Sequence, residues 1–194
     1  GTADTVLPTD AGTTDALLST AGSSSTSFEI AALGGTALGP TASFTGRGQA
    51  SVALAFTRFG VSLDVGLESA RTRTVAPVTV TSTSQWASLN GLIHFRPLDR
   101  LRLSLSLGVR LWRIAAETTG ADANATTALA SFGGVAATTA TIRLIGPLSA
   151  QLSLYASSRW RAERFNVSNL GPVLELLPWE GGLLGGLVLE ANFL

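Results

Sequence analysis

Residues 101–111 read Leu101-Arg102-Leu103-Ser104-Leu105-Ser106-Leu107-Gly108-Val109-Arg110-Leu111. Every odd position is apolar, and every even one is Ser, Gly or Arg. A period of two puts the two sets on opposite faces of a β-strand. The run also has the length a tilted strand needs to cross hydrocarbon, about 9–11 residues. The second face decides the reading. A soluble surface is about 25–35% charged, whereas small polar residues with an occasional Arg suit the filled interior of a narrow barrel.

The same alternation recurs along the chain. In Val61–Glu68, Val61, Leu63, Val65 and Leu67 oppose Ser62, Asp64, Gly66 and Glu68. Leu152 and Leu154 alternate with Gln151, Ser153 and Tyr155, and Leu187, Leu189, Ala191 and Phe193 with Val188, Glu190 and Asn192. Weaker runs contain Val52, Leu54 and Phe56; Leu89, Ile93 and Phe95; and Phe132, Ile142 and Leu144. Eight strands follow, at 27–38, 48–58, 60–71, 84–96, 100–114, 128–144, 148–160 and 182–194. Joins near Phe59-Gly60, Arg96–Asp99 and Ile145–Pro147 are short and carry Gly or Pro turn chemistry. Those at 39–47, 72–83, 115–127 and 161–181 read as long loops. Short turns at one end and long loops at the other are the layout of outer-membrane barrels, with the short turns periplasmic.

Composition agrees. Of 194 residues 13% are charged, against about 25% in soluble domains. Yet no apolar run approaches the roughly 18 residues of a spanning helix. Thirteen acidic residues balance thirteen basic ones, all Arg, so no basic face is expected for a nucleic acid. The absence of Cys removes disulfides and thiolate metal sites. A chain that begins Gly1-Thr2-Ala3-Asp4 and contains no Met is expected to have lost a signal peptide.

Phe28, Phe56, Phe59, Phe95 and Phe193 fall near the short-turn end, and Phe132 and Trp160 near the other, as two interfacial belts would. The closing run Leu187-Val-Leu-Glu-Ala-Asn-Phe-Leu194 resembles the terminal strand of outer-membrane proteins, with its aromatic residue penultimate. Residues 27–194 as a whole resemble the small barrels of the OmpA-transmembrane-domain and OmpX type. The resemblance implies an all-β, eight-stranded, antiparallel up-and-down transmembrane barrel in the outer membrane of a Gram-negative bacterium. A soluble barrel of lipocalin type is the alternative fold.

The interior parity carries the candidate site: Asp64, Glu68, Arg102, Arg110, Arg143, Arg159 and Glu190, with Glu29 beside them. Buried charges must pair, so this set is expected to form a salt-bridged lumen. Glu190, Arg143 and Arg102 should cluster at the short-turn end. A narrow gated channel is the alternative. His94, the one His, shares its face with Ser88 and Ser104. It lies at the periplasmic end, the wrong side for outer-leaflet lipid chemistry, so no catalytic residue is expected. Scattered carboxylates predict no metal site, and no cofactor is expected. Asn124-Ala-Thr and Asn166-Val-Ser are chance sequons, and Gly181–Gly186 lacks the Lys of a phosphate loop.

Residues 1–26, rich in Thr, Ser, Ala and Gly, read as a polar periplasmic tail ahead of the barrel at 27–194. The loop 161–181 contains Val173, Leu174, Leu176, Leu177 and Trp179, apolar residues expected outside the bilayer, where they mark a partner interface or else fold over the barrel mouth or dip into the membrane surface. The expected role is non-enzymatic: a structural or interaction barrel of an envelope assembly. Its surroundings would be outer-membrane lipid and lipopolysaccharide, with protein partners held through the tail and this loop.

Overall fold

The computed structural model describes residues 26–38, 44–120, 125–161, 163–167, 171–176 and 178–193. Ten strands run in chain order: β1 (Thr26–Leu38), β2 (Phe44–Ala55), β3 (Phe59–Val75), β4 (Val78–Leu98), β5 (Leu101–Thr119), β6 (Ala125–Ile145), β7 (Leu148–Arg159), β8 (Glu163–Val167), β9 (Gly171–Leu176) and β10 (Trp179–Phe193). Eight of them form a closed antiparallel barrel in the order β1-β10-β7-β6-β5-β4-β3-β2, and β8 pairs only with β9. The seam between β1 and β10 is continuous from Thr26↔Phe193 to Leu38↔Gly181. Closure leaves no sheet edge in the spanning part, so every backbone group there has a partner.

Alternation places the side chains as the sequence implies. Leu63, Leu103, Leu105, Leu152, Leu154 and Leu189 face out, while Asp64, Ser104 and Ser153 are buried inside. Leu107 and Val109 are 72% and 67% exposed on the outer wall. Each large apolar side chain left in water would cost roughly 1.5–3 kcal/mol, so an outer wall of this kind belongs in hydrocarbon. Its limits can be read from the rows of the sheet. Phe56, Phe59 and Phe95 stand exposed near the short turns. At the other end Leu67, Gln85, Arg113 and Ala130 lie in one row, where polar residues reappear. Phe44, Phe132, Trp160 and Trp179 are exposed near this second limit.

The short turns are Phe56–Arg58, Asp99–Arg100 and Gly146–Pro147. Gly146 has φ +54°, a conformation that suits a residue without a Cβ. The turns are tied to neighbouring strands by His94 N–H to Arg58 O (2.8 Å), Arg143 N–H to Arg100 O (2.9 Å) and Glu190 N–H to Pro147 O (2.9 Å).

The long-loop end differs from expectation. Residues 72–83 are not a loop: β3 and β4 continue until only Ala76 and Pro77 separate them. β5 likewise runs to Thr119 and β6 begins at Ala125, which shortens the loop expected at 115–127. The cause is Thr. A Ser/Thr-rich stretch looks like a linker by composition, but Thr is β-branched and favours strands. Opposed hydroxyls of Thr72 and Thr81 (3.3 Å) and of Thr74 and Thr79 (3.1 Å) decorate this extension. β2 starts at Phe44, inside the expected loop 39–47. The loop 161–181 contains the hairpin β8–β9, and its last residues open β10. The proposed tail falls outside the described residues apart from Thr26, the first residue of β1.

Two lumen rings depend on a glycine in the adjoining strand. Trp86 lies over Gly66, and Tyr155 over Gly182, where an added Cβ would stand 2.6 Å from the Tyr155 ring. Gly182→Ala is therefore expected to destabilise the barrel by about 1–3 kcal/mol, the usual range for overpacking. The check is the urea midpoint of the heat-modifiable band. Gly185, whose added Cβ would meet nothing closer than 3.8 Å, is the neutral control.

Candidate functional site

Inward positions of the eight barrel strands stack into layers. The innermost layer, at the short-turn end, centres on Arg102 at the start of β5. Its guanidinium donates to both oxygens of Glu29 on β1, Nη1 to Oε1 at 2.5 Å and Nη2 to Oε2 at 2.6 Å. Glu190 on β10 lies 3.9 Å from Nη1. β1 and β10 are neighbours, so closing the barrel sets both carboxylates before one Arg. His94 on β4 hydrogen-bonds Ser104 through Nδ1 at 2.8 Å. Its Nε2 is buried beside Gly60, without a hydrogen-bond partner among the described residues. No carboxylate bonds either ring nitrogen among the described residues, so this His–Ser pair lacks the orienting acid of a hydrolytic triad.

Above this layer Asp64 accepts from Asn90 Nδ2 (2.6 Å) and Ser88 Oγ (3.3 Å). It borders a cavity of about 80 Å³ whose other walls include Gln49, Ser106, Gln151 and Ser153. A chamber of that size has room for water, and these polar walls offer it partners.

The third layer is the densest. Glu180, the second residue of β10, is buried among Arg47 (2.9 Å), Arg110 (3.6 Å) and Arg159 (3.3 Å). Ser157 also donates to it at 2.9 Å. Aromatic rings stack against the guanidiniums. Arg47 lies 4.4 Å from the Trp86 centroid and 4.3 Å from that of Tyr155, Arg110 lies 3.9 Å from Trp86, and Arg159 lies 5.2 Å from Trp112. Arg47 Nη1 also donates to Tyr155 Oη at 2.5 Å. Beside this stack Glu68 binds Arg71 and Thr45. Outermost come Val78, Val80, Ile114 and Ala116, packed with Trp86 and Trp112 as an apolar cap.

The expected interior set thus divides. Arg102, Glu190 and Glu29 meet at one end; Arg110 and Arg159 meet at the other. Asp64 has no Arg within salt-bridge distance among the described residues and is held by an amide and a hydroxyl instead. Arg143 meets the expectation in place but not in burial. It keeps the inward parity, but β6 overshoots the turn level there, so the side chain is exposed at the periplasmic rim. It lines one rim depression with Arg102 and Glu190, the clustering that the sequence implied, but joins no ion pair among the described residues.

Arg47 and Glu180 did not enter the expected set because both fell inside segments read as loops. Their parity was available: Arg47 precedes Gln49 and Ser51 at steps of two, and Glu180 precedes Gly182 and Leu184. Of the loop residues expected at an interface, Leu177 and the side chains of Val173, Leu174 and Leu176 lie outside the described residues. Trp179 belongs to a barrel strand opposite Ser158 and is exposed near Phe132 and Trp160.

One further feature lies beyond the lumen. β3 to β6 span 17–21 residues, whereas β1, β2 and β7 span 12–13. β2 stops pairing with β3 at Glu68, and β7 stops pairing with β6 at Gly133. β5 still pairs with β6 to Ala125. A four-stranded sheet therefore stands clear of the barrel by roughly 15–20 Å, from the rise per residue of tilted strands.

Closed eight-strand topology, an apolar outer wall, a polar lumen and short turns at one end decide the architecture. The fold is that of the small outer-membrane β-barrels. Among solved structures, a major outer membrane protein from Thermus thermophilus is similar over 86% of this chain and 99% of its own, with TM-score 0.63 and 16% identity. Neisserial surface protein A matches over 84% and 96%, with TM-score 0.57 and 11% identity. Ail, the attachment invasion locus protein of Yersinia pestis, matches over 87% and 99%, with TM-score 0.54 and 10% identity. No family model and no curated protein matches the chain.

Proposed function

We propose that the protein is a non-enzymatic barrel of the outer membrane that serves an interaction role in the envelope, presenting its projecting sheet at the cell surface. The observation that carries this reading is the edge of β6. Above Phe132, whose carbonyl accepts the Trp160 N–H at 3.0 Å, it pairs with β5 on one side and with nothing on the other, among the described residues. Unpaired backbone groups of an edge strand recruit a further strand. The edge reads Ala125-Thr-Thr-Ala-Leu-Ala-Ser131, without charge or Pro to repel one. Its opposite face is stiffened by the apolar cap, against which Leu129 packs.

Attachment is part of the name of one similar structure, Ail, and an extended segment of a surface protein is the partner chemistry this edge suits. The loop 161–181 projects from the same end. The polar tail 1–26 is the corresponding contact element on the periplasmic side, and lipopolysaccharide is the lipid around the outer aromatic positions. The channel alternative is disfavoured by the stacked Arg–aromatic layer across the lumen.

The test uses Ala128→Lys with Ala130→Lys, which places charge along the edge without touching the lumen. Expected results are a barrel that still shows heat-modified mobility and partner recovery in mild detergent reduced by at least about tenfold, on the scale of an edge protected by charge. Unchanged recovery, alongside a parent that does have a partner, removes the edge from the mechanism. Deletion of residues 1–20 in the same assay separates the tail from the sheet.

A further inference from the structure

The outer half of the lumen buries more donors than acceptors. The side chains of Arg47 and Arg110 are 1% and 3% exposed, and both reach one oxygen, Glu180 Oε1, at 2.9 and 3.6 Å. Arg159 and Ser157 draw on the same carboxylate. Among the described residues, Nε and Nη2 of Arg47, and Nε and Nη1 of Arg110, have no hydrogen-bond acceptor. The buried indole N–H of Trp86 has none either. Neighbouring carboxylates are already engaged: Glu68 by Arg71 and Thr45, and Asp64 by Asn90 and Ser88. The inner layer is the internal comparison, since there a single guanidinium, Arg102, faces two carboxylates.

Stacking makes this imbalance persistent. Arg47 lies between the rings of Trp86 and Tyr155, and Arg110 lies over Trp86 at 3.9 Å. A ring face attracts the cation but accepts none of its in-plane N–H groups. The rings hold both guanidiniums in place, so neither can swing toward another acceptor. A buried positive charge without its own counter-charge is strongly destabilising, and buried polar groups in native proteins find partners. Two guanidiniums that share one carboxylate oxygen lie close enough for a single further acceptor to serve both. Arg110 and Tyr155 also border the 80 Å³ cavity, which offers room for a small anion.

We propose that Arg47 and Arg110, with the indole N–H of Trp86, form a binding site for a small inorganic anion in the outer half of the lumen. The anion supplies the second negative charge that Glu180 alone cannot provide. It locks the stacked layer, and with it the junction where β7 and β10 leave the barrel.

The protein folded in detergent is exchanged into sodium gluconate and titrated with sodium chloride at constant ionic strength. The temperature of heat modification should rise by several degrees and saturate. Crystals grown in bromide should show an anomalous peak within hydrogen-bond distance of both Arg47 and Arg110. Arg110→Gln, if it folds, should lose the chloride response; if it does not fold, the bromide map of the parent decides alone. A chloride-independent transition with no bromide peak means that water fills the site and refutes the proposal.

Discussion

Glu180→Ala is expected to destabilise the barrel by about 3–5 kcal/mol, the range for removing one partner of a buried ion pair. The carboxylate is the shared acceptor for Arg47, Arg110 and Arg159, at 2.9, 3.6 and 3.3 Å. Without it three guanidiniums stay stacked on Trp86, Tyr155 and Trp112, with aromatic faces as their main compensation. Its place in the chain increases the effect. Arg159 ends β7 and Glu180 is the second residue of β10, and the N–H of Arg159 also bonds Pro178 O at 2.5 Å. The pair therefore clamps both feet of the intervening loop. Glu190→Ala provides the contrast. Arg102 keeps its two bonds to Glu29, at 2.5 and 2.6 Å, and loses only a contact at 3.9 Å. A loss of about 1 kcal/mol is expected there, typical of one modest hydrogen bond. Urea midpoints of folding into lipid vesicles, read by heat-modified mobility, give both numbers. Coincident midpoints would mean that the outer layer is not organised around Glu180.

The spanning part of the fold was legible because hydrocarbon imposes a strict alternation. Leu101–Leu111 and Val61–Glu68 can be read by eye, and the lipid-facing residues follow without error from their parity. The projecting sheet was not legible in the same way. Outside the bilayer, residues such as Thr72, Thr74, Thr79 and Thr81 need no apolar face, so the period of two carries no hydrophobic contrast. Only β-branching signals the strand there, and composition argues against it. The site inherited that error: with the strand ends misplaced, Arg47 and Glu180 were assigned to loops, and the hub of the outer layer was missed. Trp86 and Trp112 illustrate a second limit. They share the inward parity of Ser88 and Arg110, but nothing in the local pattern says that a large ring finds room in so narrow a lumen. For Trp86 that room comes from Gly66, twenty residues earlier and on the neighbouring strand.

Leu107→Arg separates a membrane barrel from a soluble one. Leu107 is 72% exposed on the outer wall, in the row Gly91–Leu107–Ala136, midway along the spanning part of β5. An Arg at the bilayer midplane of such a barrel costs about 2–4 kcal/mol, falling to about 0–1 near the interface. On a soluble barrel the same exposed change would stay within about 0.5 kcal/mol. The protein already contains its own reference point. Arg113 lies on the same face of β5 three outward-facing positions further along, opposite Gln85, where the apolar wall ends. Leu111→Arg, one step below that row, is therefore expected to cost much less than Leu107→Arg. The measurement is the urea midpoint of each variant folded into vesicles, with Ser106→Ala as a lumen-side control. A steep decrease from position 107 to 111 maps the hydrocarbon onto β5. Equal and small effects at both positions would mean that the outer wall does not face lipid. The alternation that decides the fold would then need another cause.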